Sequence, residues 1–224
     1  MISSYAVATP SRGLIHSRTV EAVARESADT PGFTGWAITH DLPIPLAHEQ
    51  AVASAIGRWL PEAVIMVEED VIPPEGSFGA LLLALEAGAD VAGVDYPVGE
   101  DWGCAVRDEA GAVLWVGTGL AALSVPALER LERPWFRTDR RWLRGPDGGW
   151  HDVPAAPDER DRFGQQDIEL CRRVREAGGR VSVVPGMTAA HAQVRGMGRQ
   201  GSNVGWHDVR LRTEIREQYP GDRG

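Results

Sequence analysis

The chain contains no lysine; all 23 of its basic residues are arginine. That bias speaks of a GC-rich coding origin more than of mechanism, although arginine does suit phosphate binding. Cysteine is nearly as scarce. Cys104 and Cys171 are the only two, too few for a disulfide framework and not at a metal-site spacing, so a reducing compartment is expected. No apolar run approaches the roughly 18 residues of a membrane helix. The N-terminus lacks the charged and apolar regions of a signal peptide. Repeats and low-complexity segments are missing too. Basic residues are outnumbered by 32 acidic ones, for a net charge of -9, which argues against a general nucleic-acid-binding surface. These absences lead us to expect a soluble, cytoplasmic protein without a membrane span (host cytoplasm if phage-encoded).

What is present is ordinary in amount. With 224 residues, 43% of them hydrophobic and 25% charged, the chain can build one sizeable core, with or without a small annex. Its most informative stretch is Ala63-Val64-Ile65-Met66-Val67-Glu68-Glu69-Asp70-Val71-Ile72-Pro73-Pro74. Val64 to Val67 is continuously apolar and reads as a strand buried on both faces. It ends in three acids and then two prolines. Carboxylates at the carboxyl end of a buried strand stand where open α/β sheets bind ligands. On an extended chain Glu68 and Asp70 point to the same side. Two hard oxygen ligands there suit Mg2+ or Mn2+ held jointly with substrate phosphates. Read in isolation, the same triplet is a solvated acidic turn.

Around that stretch strands alternate with helices. Tyr5–Thr9 is a first strand, broken by Pro10-Ser11-Arg12-Gly13 before a helical pattern over Ile15–Ser27. A strand, a turn and a helix N-terminus make a phosphate site, with Arg12 as charge donor. Gly35–Thr39 is a second strand, and a loop through Asp41 leads to a helix over Leu46–Leu60. Ser77–Ala87 is a helix stopped by Gly88, and Ala89–Val94 a strand leading to Asp95. Cys104–Arg107 and Ala112–Val116 form a hairpin pattern. A polar, Gly- and Pro-containing stretch from Arg137 to Arg162 reads as a long loop. Asp167–Ala177 is an amphipathic helix, Val181–Pro185 a last strand, and Val209–Ile215 a terminal helix. The alternation implies an α/β chain with a doubly wound, mainly parallel (mixed) sheet flanked by helices in a single domain, its mixed edge near the active-site end.

Five pieces in this order carry a family resemblance: Thr9-Pro10-Ser11-Arg12-Gly13; Glu68-Glu69-Asp70 followed by prolines; Gly117-Thr118-Gly119 before an apolar segment ending in Pro134-Trp135-Phe136; Gln166-Asp167-Ile168-Glu169-Leu170-Cys171-Arg172-Arg173 with Glu176-Ala177-Gly178; and His191 after the last strand. The chain resembles GT-A-fold, nucleotide-sugar-dependent glycosyltransferases, especially small bacterial and bacteriophage members, from about Tyr5 to His191. The resemblance implies a GT-A-like catalytic domain over 1–191. Its nucleotide-binding half is about 1–95 and its acceptor half about 96–191, with a Gly/Arg-rich tail or lid at 192–224. It implies Mn2+ or Mg2+ on Asp70, His191 and Glu68, and a UDP-sugar as the favoured donor. Thr9, Pro10, Ser11, Arg12, Asp41, Glu68 and Glu69 would touch the nucleotide. Asp95, Gly119, Trp102 and Gln166 would touch donor sugar or acceptor, Trp102 and Trp150 being candidates for stacking on a sugar face. Arg195 and Arg199 would close over the diphosphate, and His207 is a second-choice ligand. Asp167 takes the place of the base in inverting members, where its bland alternative is a helix N-terminal acid favoured by the dipole.

The sequence departs from the family's pattern in three places. Glu68 stands for the usual Asp, Gln166 for an acid, and His48-Glu49 for Arg-Asn. The expected function is a metal-dependent, inverting glycosyltransferase acting on an acceptor hydroxyl. The acceptor is open: protein, glycan, nucleic acid or small molecule. A nucleotidyltransferase and a non-catalytic nucleotide-sugar-binding module are the alternatives.

Overall fold

The computed structural model describes residues 1–11, 13–40, 42, 45–98, 102–136, 140–144, 150–154, 165–194, 199–200, 203–204, 209–213 and 215. In chain order its elements are β1 (Tyr5–Thr9), α1 (Ser17–Asp29), β2 (Phe33–Ile38), α2 (Leu46–Trp59), β3 (Ala63–Val67), β4 (Val71–Ile72), α3 (Ser77–Glu86) and β5 (Val91–Asp95). There follow β6 (Pro97–Val98), β7 (Trp102–Gly103), β8 (Val106–Arg107), β9 (Val113–Trp115), β10 (Leu120–Ser124) and α4 (Val125–Glu129). The last third holds β11 (Arg140–Arg144), β12 (Trp150–Pro154), α5 (Gln166–Glu176), β13 (Val181–Thr188), β14 (Ala190–Val194), β15 (Arg199–Gln200), β16 (Asn203–Val204) and β17 (Val209–Arg212).

The main sheet has six strands in the order β13-β5-β10-β3-β1-β2. β1 runs parallel to β2 and β3, and β5 parallel to β13. β10 is antiparallel to both its neighbours, β3 and β5. All five residues of β3 are buried, because side chains on both faces meet helices. Val64 and Met66 join a core cluster with Ala51, Val52 and Ala55 of α2 and Leu170, Cys171 and Val174 of α5. Ile65 and Val67 join a second cluster with Val23 of α1 and Phe78 and Leu81 of α3. The result is a three-layer α/β/α sandwich. One buried acid stitches a layer together: Glu26 of α1 accepts from the Gly76 and Phe78 amides and from Ser77 Oγ. It thereby satisfies the open N-terminus of α3.

Several expectations need correction. The antiparallel strand lies at the centre of the sheet, between β3 and β5, and not at an edge; periodicity reports burial but not direction. The stretch expected to be a loop contains the β11–β12 hairpin, paired from Arg140↔Pro154 to Arg144↔Trp150. The expected terminal helix is instead the strand β17, antiparallel to β14. Its pattern is inverted, with Leu211 exposed and Arg212 buried, so hydrophobicity could not reveal it.

Candidate functional site

β1, β3 and β5 are parallel, so their carboxyl ends lie on one edge of the sheet, and antiparallel β10 begins at that same edge. Glu68, Glu69, Asp70, Asp95 and Gly119 lie at or next to these strand ends. Gly119 stands beside Glu68, whose amide donates to the Gly119 carbonyl at 2.9 Å. The three acids do not continue the strand. The Val71 amide closes a tight turn on the Glu68 carbonyl at 3.2 Å, so the extended-chain expectation that Glu68 and Asp70 share one side fails. Glu68 meets α2, with Oε1 2.9 Å from His48 Nε2. Asp70 meets β14, with Oδ2 3.6 Å from His191 Nε2. Glu69 is buried and accepts from Ser11 Oγ at 2.9 Å, tying the first loop to the acid turn. Thr9 is committed inside the fold, accepting from Trp36 Nε1 at 2.8 Å.

His191 is held from behind. Its Nδ1 lies 2.8 Å from the Pro97 carbonyl, so Nδ1 carries the hydrogen and Nε2 faces Asp70. That arrangement of the second ring nitrogen is typical of metal-ligating histidines. Burial alone would disfavour the imidazolium, but the Asp70 carboxylate, the Pro97 carbonyl and the charge of Glu68 outweigh it and the pKa is raised. Tyr96 packs edge-on against the His191 ring at 5.5 Å and accepts the Gly119 amide on its hydroxyl at 3.1 Å. A Cβ at Gly117 or Gly119 would come within 2.4 or 2.6 Å of that hydroxyl, which explains both glycines of the Gly-Thr-Gly motif. Arg212 is buried on β17, directly opposite His191 in register. Cross-strand neighbours project to the same face.

Asp167 is on the first turn of α5, partly buried. Its carboxyl is pushed up to about 6, first by burial and further by the charge of Glu68, against the Ile168 amide that donates to it at 2.9 Å. Gln166 beside it is buried. Asp95 Oδ1 accepts the amides of Tyr96, Cys104 and Ala105 at 3.0, 2.6 and 3.1 Å, which anchors the loop after β5. Of Trp102, Trp150 and Arg199 only the strand placement is described. Arg12, Asp41, Arg195 and His207 lie outside the described residues.

Sequence reasoning missed a clamp between α2 and α5. Buried Glu49 of α2 accepts from Arg133 Nε and from the Trp135 and Phe136 amides, at 2.7, 2.7 and 3.3 Å. Buried Arg173 of α5 donates to the carbonyls of Glu132, Pro134 and Trp135. One turn, 132–136, is thus gripped from both sides and sets the spacing of the two helices. Phe136 then packs 5.4 Å from the His48 ring. The available signal was a His and a Glu beside the apolar face of a helix.

Among the described residues, no three of His, Cys, Asp and Glu form a metal-holding group. The donor set nevertheless fits a hard divalent cation: one carboxylate oxygen and one imidazole nitrogen face each other, which leaves further positions to substrate phosphates.

No family model and no curated protein matches this chain. A solved structure, A197 from STIV, is similar with a TM-score of 0.60, covering 96% of this chain and 96% of that chain at 13% sequence identity. The fold is GT-A-like. At that identity the likeness shows the fold alone. No helix among the described residues is long and apolar enough to cross a membrane.

Proposed function

We propose that the chain is a metal-dependent, inverting glycosyltransferase that moves a sugar from a nucleoside-diphosphate sugar, with a UDP-sugar favoured, to an acceptor hydroxyl. One observation carries this reading: the facing pair Asp70–His191 and the elevated carboxyl of Asp167 stand on the same edge of a GT-A-like sheet. Asp70 and His191 would hold Mn2+ or Mg2+, which supplies charge neutralisation to a departing diphosphate. The rest falls to the protein's own groups. The first loop, through Ser11 and Glu69, shapes the nucleotide end. Asp167 takes the acceptor hydroxyl's proton as its oxygen attacks the anomeric carbon in line. A carboxyl near 6 is well matched to that role: it is ionised at neutral pH yet basic enough to share a proton in the transition state. Tyr96 holds His191 and Gly119 in place.

The test is a thermal-shift panel of UDP-, GDP- and dTDP-sugars with and without Mn2+, on wild type and Asp70→Ala. A donor at about 100 times its dissociation constant adds roughly 2.7 kcal/mol, a rise of roughly 5–10 °C for a chain this size. The expected result is a metal-dependent shift that Asp70→Ala abolishes. A shift indifferent to metal and to Asp70 would refute the assignment.

A further inference from the structure

Glu68 is pinned at three points and open at one. Its amide donates to the Gly119 carbonyl at 2.9 Å, and its carbonyl accepts the Val71 amide at 3.2 Å. Its Oε1 lies 2.9 Å from His48 Nε2. A carboxylate only accepts, so the His48 hydrogen sits on Nε2 and points at Glu68. Oε2 has no hydrogen-bond partner among the described residues. The side chain keeps 22% of its surface exposed, so that second oxygen is open to a ligand.

His48 is 0% exposed and can meet a ligand only through Glu68. Its ring is backed by Phe136, 5.4 Å away and tilted by 51°. The next residue of α2, Glu49, accepts the Phe136 amide at 3.3 Å. Thus α2 holds residue 136 twice, by its backbone through Glu49 and by its ring through His48. From the other side Arg173 of α5 donates to the Pro134 and Trp135 carbonyls at 2.8 and 3.1 Å. A buried ring wedged against a gripped turn keeps one orientation, and a ligand-binding group is only as well placed as the shell behind it. Two departures from the resembled family's pattern thereby become one unit. The longer side chain of Glu68 reaches α2, and His48 stands there to receive it.

We propose that His48 is a positioning residue for nucleotide binding: its Nε2 hydrogen holds Glu68 so that Oε2 is presented to a hydroxyl of the nucleotide's pentose, and Phe136 holds His48. The proposal rests on the nucleotide-sugar reading given above and adds the support behind the contact. A carboxylate free to rotate must be ordered when the ligand binds, which weakens binding; one already aimed does not.

The test compares three substitutions in the wild-type and Glu68→Ala backgrounds. His48→Phe keeps a ring against Phe136 but has no donor. His48→Gln puts an N–H donor back near the place of Nε2. Phe136→Leu loosens the ring without touching Glu68. Titration calorimetry with Mn2+ would measure UDP, GDP and dTDP on each protein, with urea unfolding to establish that each is folded. We expect His48→Phe and Phe136→Leu to bind the best nucleotide about two- to tenfold more weakly, the scale of one side chain left to be ordered. His48→Gln should bind within about twofold of wild type. In the Glu68→Ala background none of the three should change affinity further, which a merely structural role would not produce. If His48→Phe fails to fold, Phe136→Leu carries the same comparison. Unchanged affinity in the folded variants, failure of His48→Gln to restore it, or an equal loss with and without Glu68 would each overturn the positioning role and leave the proposed function standing. Wild type that binds none of the three nucleotides would overturn the proposed function, and this inference with it.

Discussion

Asp167→Asn separates the energetic from the chemical role of that carboxyl. Its pKa rises from 3.8 to about 6 in the folded protein, so the folded state binds this proton more tightly than the unfolded chain. Stability from this group is therefore fully present below about pH 4 and is lost as pH climbs through 6. The full penalty above pH 7 is about 2.2 pH units at 1.36 kcal/mol each, or about 3 kcal/mol. The side chain is only partly buried, and solvent screening trims the figure to roughly 1–2 kcal/mol. Asparagine keeps the shape and removes the charge. We expect Asp167→Asn to be more stable than wild type by that amount at pH 7.5 in urea unfolding, and by less than half of it at pH 4.5. Turnover should be abolished in the same variant, while wild-type kcat/KM should rise about tenfold from pH 5 to pH 7 as a base near 6 ionises. A variant no more stable than wild type at pH 7.5, or a difference that ignores pH, would refute the burial argument. Wild-type turnover by the variant would refute the base.

Three further substitutions probe the scaffold. Gly119→Ala places a methyl 2.6 Å from the Tyr96 ring and hydroxyl and 2.9 Å from Val71; we expect a loss of about 1–3 kcal/mol from overpacking, with weaker nucleotide binding, and unchanged urea stability would contradict the packing. Glu49→Ala and Arg173→Ala each release one jaw on the 132–136 turn; the double variant should lose less than the sum of the singles, by about 0.5–3 kcal/mol, and strict additivity in urea unfolding would show that the two jaws act independently.

The strand β3 was legible because its residues are apolar without interruption, as burial on both faces requires. The acids were legible because they interrupt that run where the strand must end. What stayed hidden depends on partners far away in sequence. Nothing in Leu120–Ser124 says that it runs against its neighbours. The alternation in Val209–Arg212 is real, but it buries the arginine and exposes the leucine. Glu68 and Asp70 diverge because a tight turn replaced an extended chain, and no local signal distinguishes the two. Glu49 and Arg173 read as ordinary helix charges until the turn between them is seen.

The central position of β10 has a consequence for how the chain comes into being. β5 precedes β10 in sequence yet cannot join the sheet until β10 has docked on β3. A ribosome releasing this chain exposes the apolar edge of β3 from Val67 until Leu120, its eventual partner, has emerged. During that interval the N-terminal strands form an incomplete sheet whose open edge is Ala-Val-Ile-Met-Val, a template for wrong pairing. Within the first 95 residues β5 therefore has no neighbour in the sheet. Assembly waits on a single late strand, and any pause in translation before residue 120 prolongs the window in which a chaperone must cover the edge.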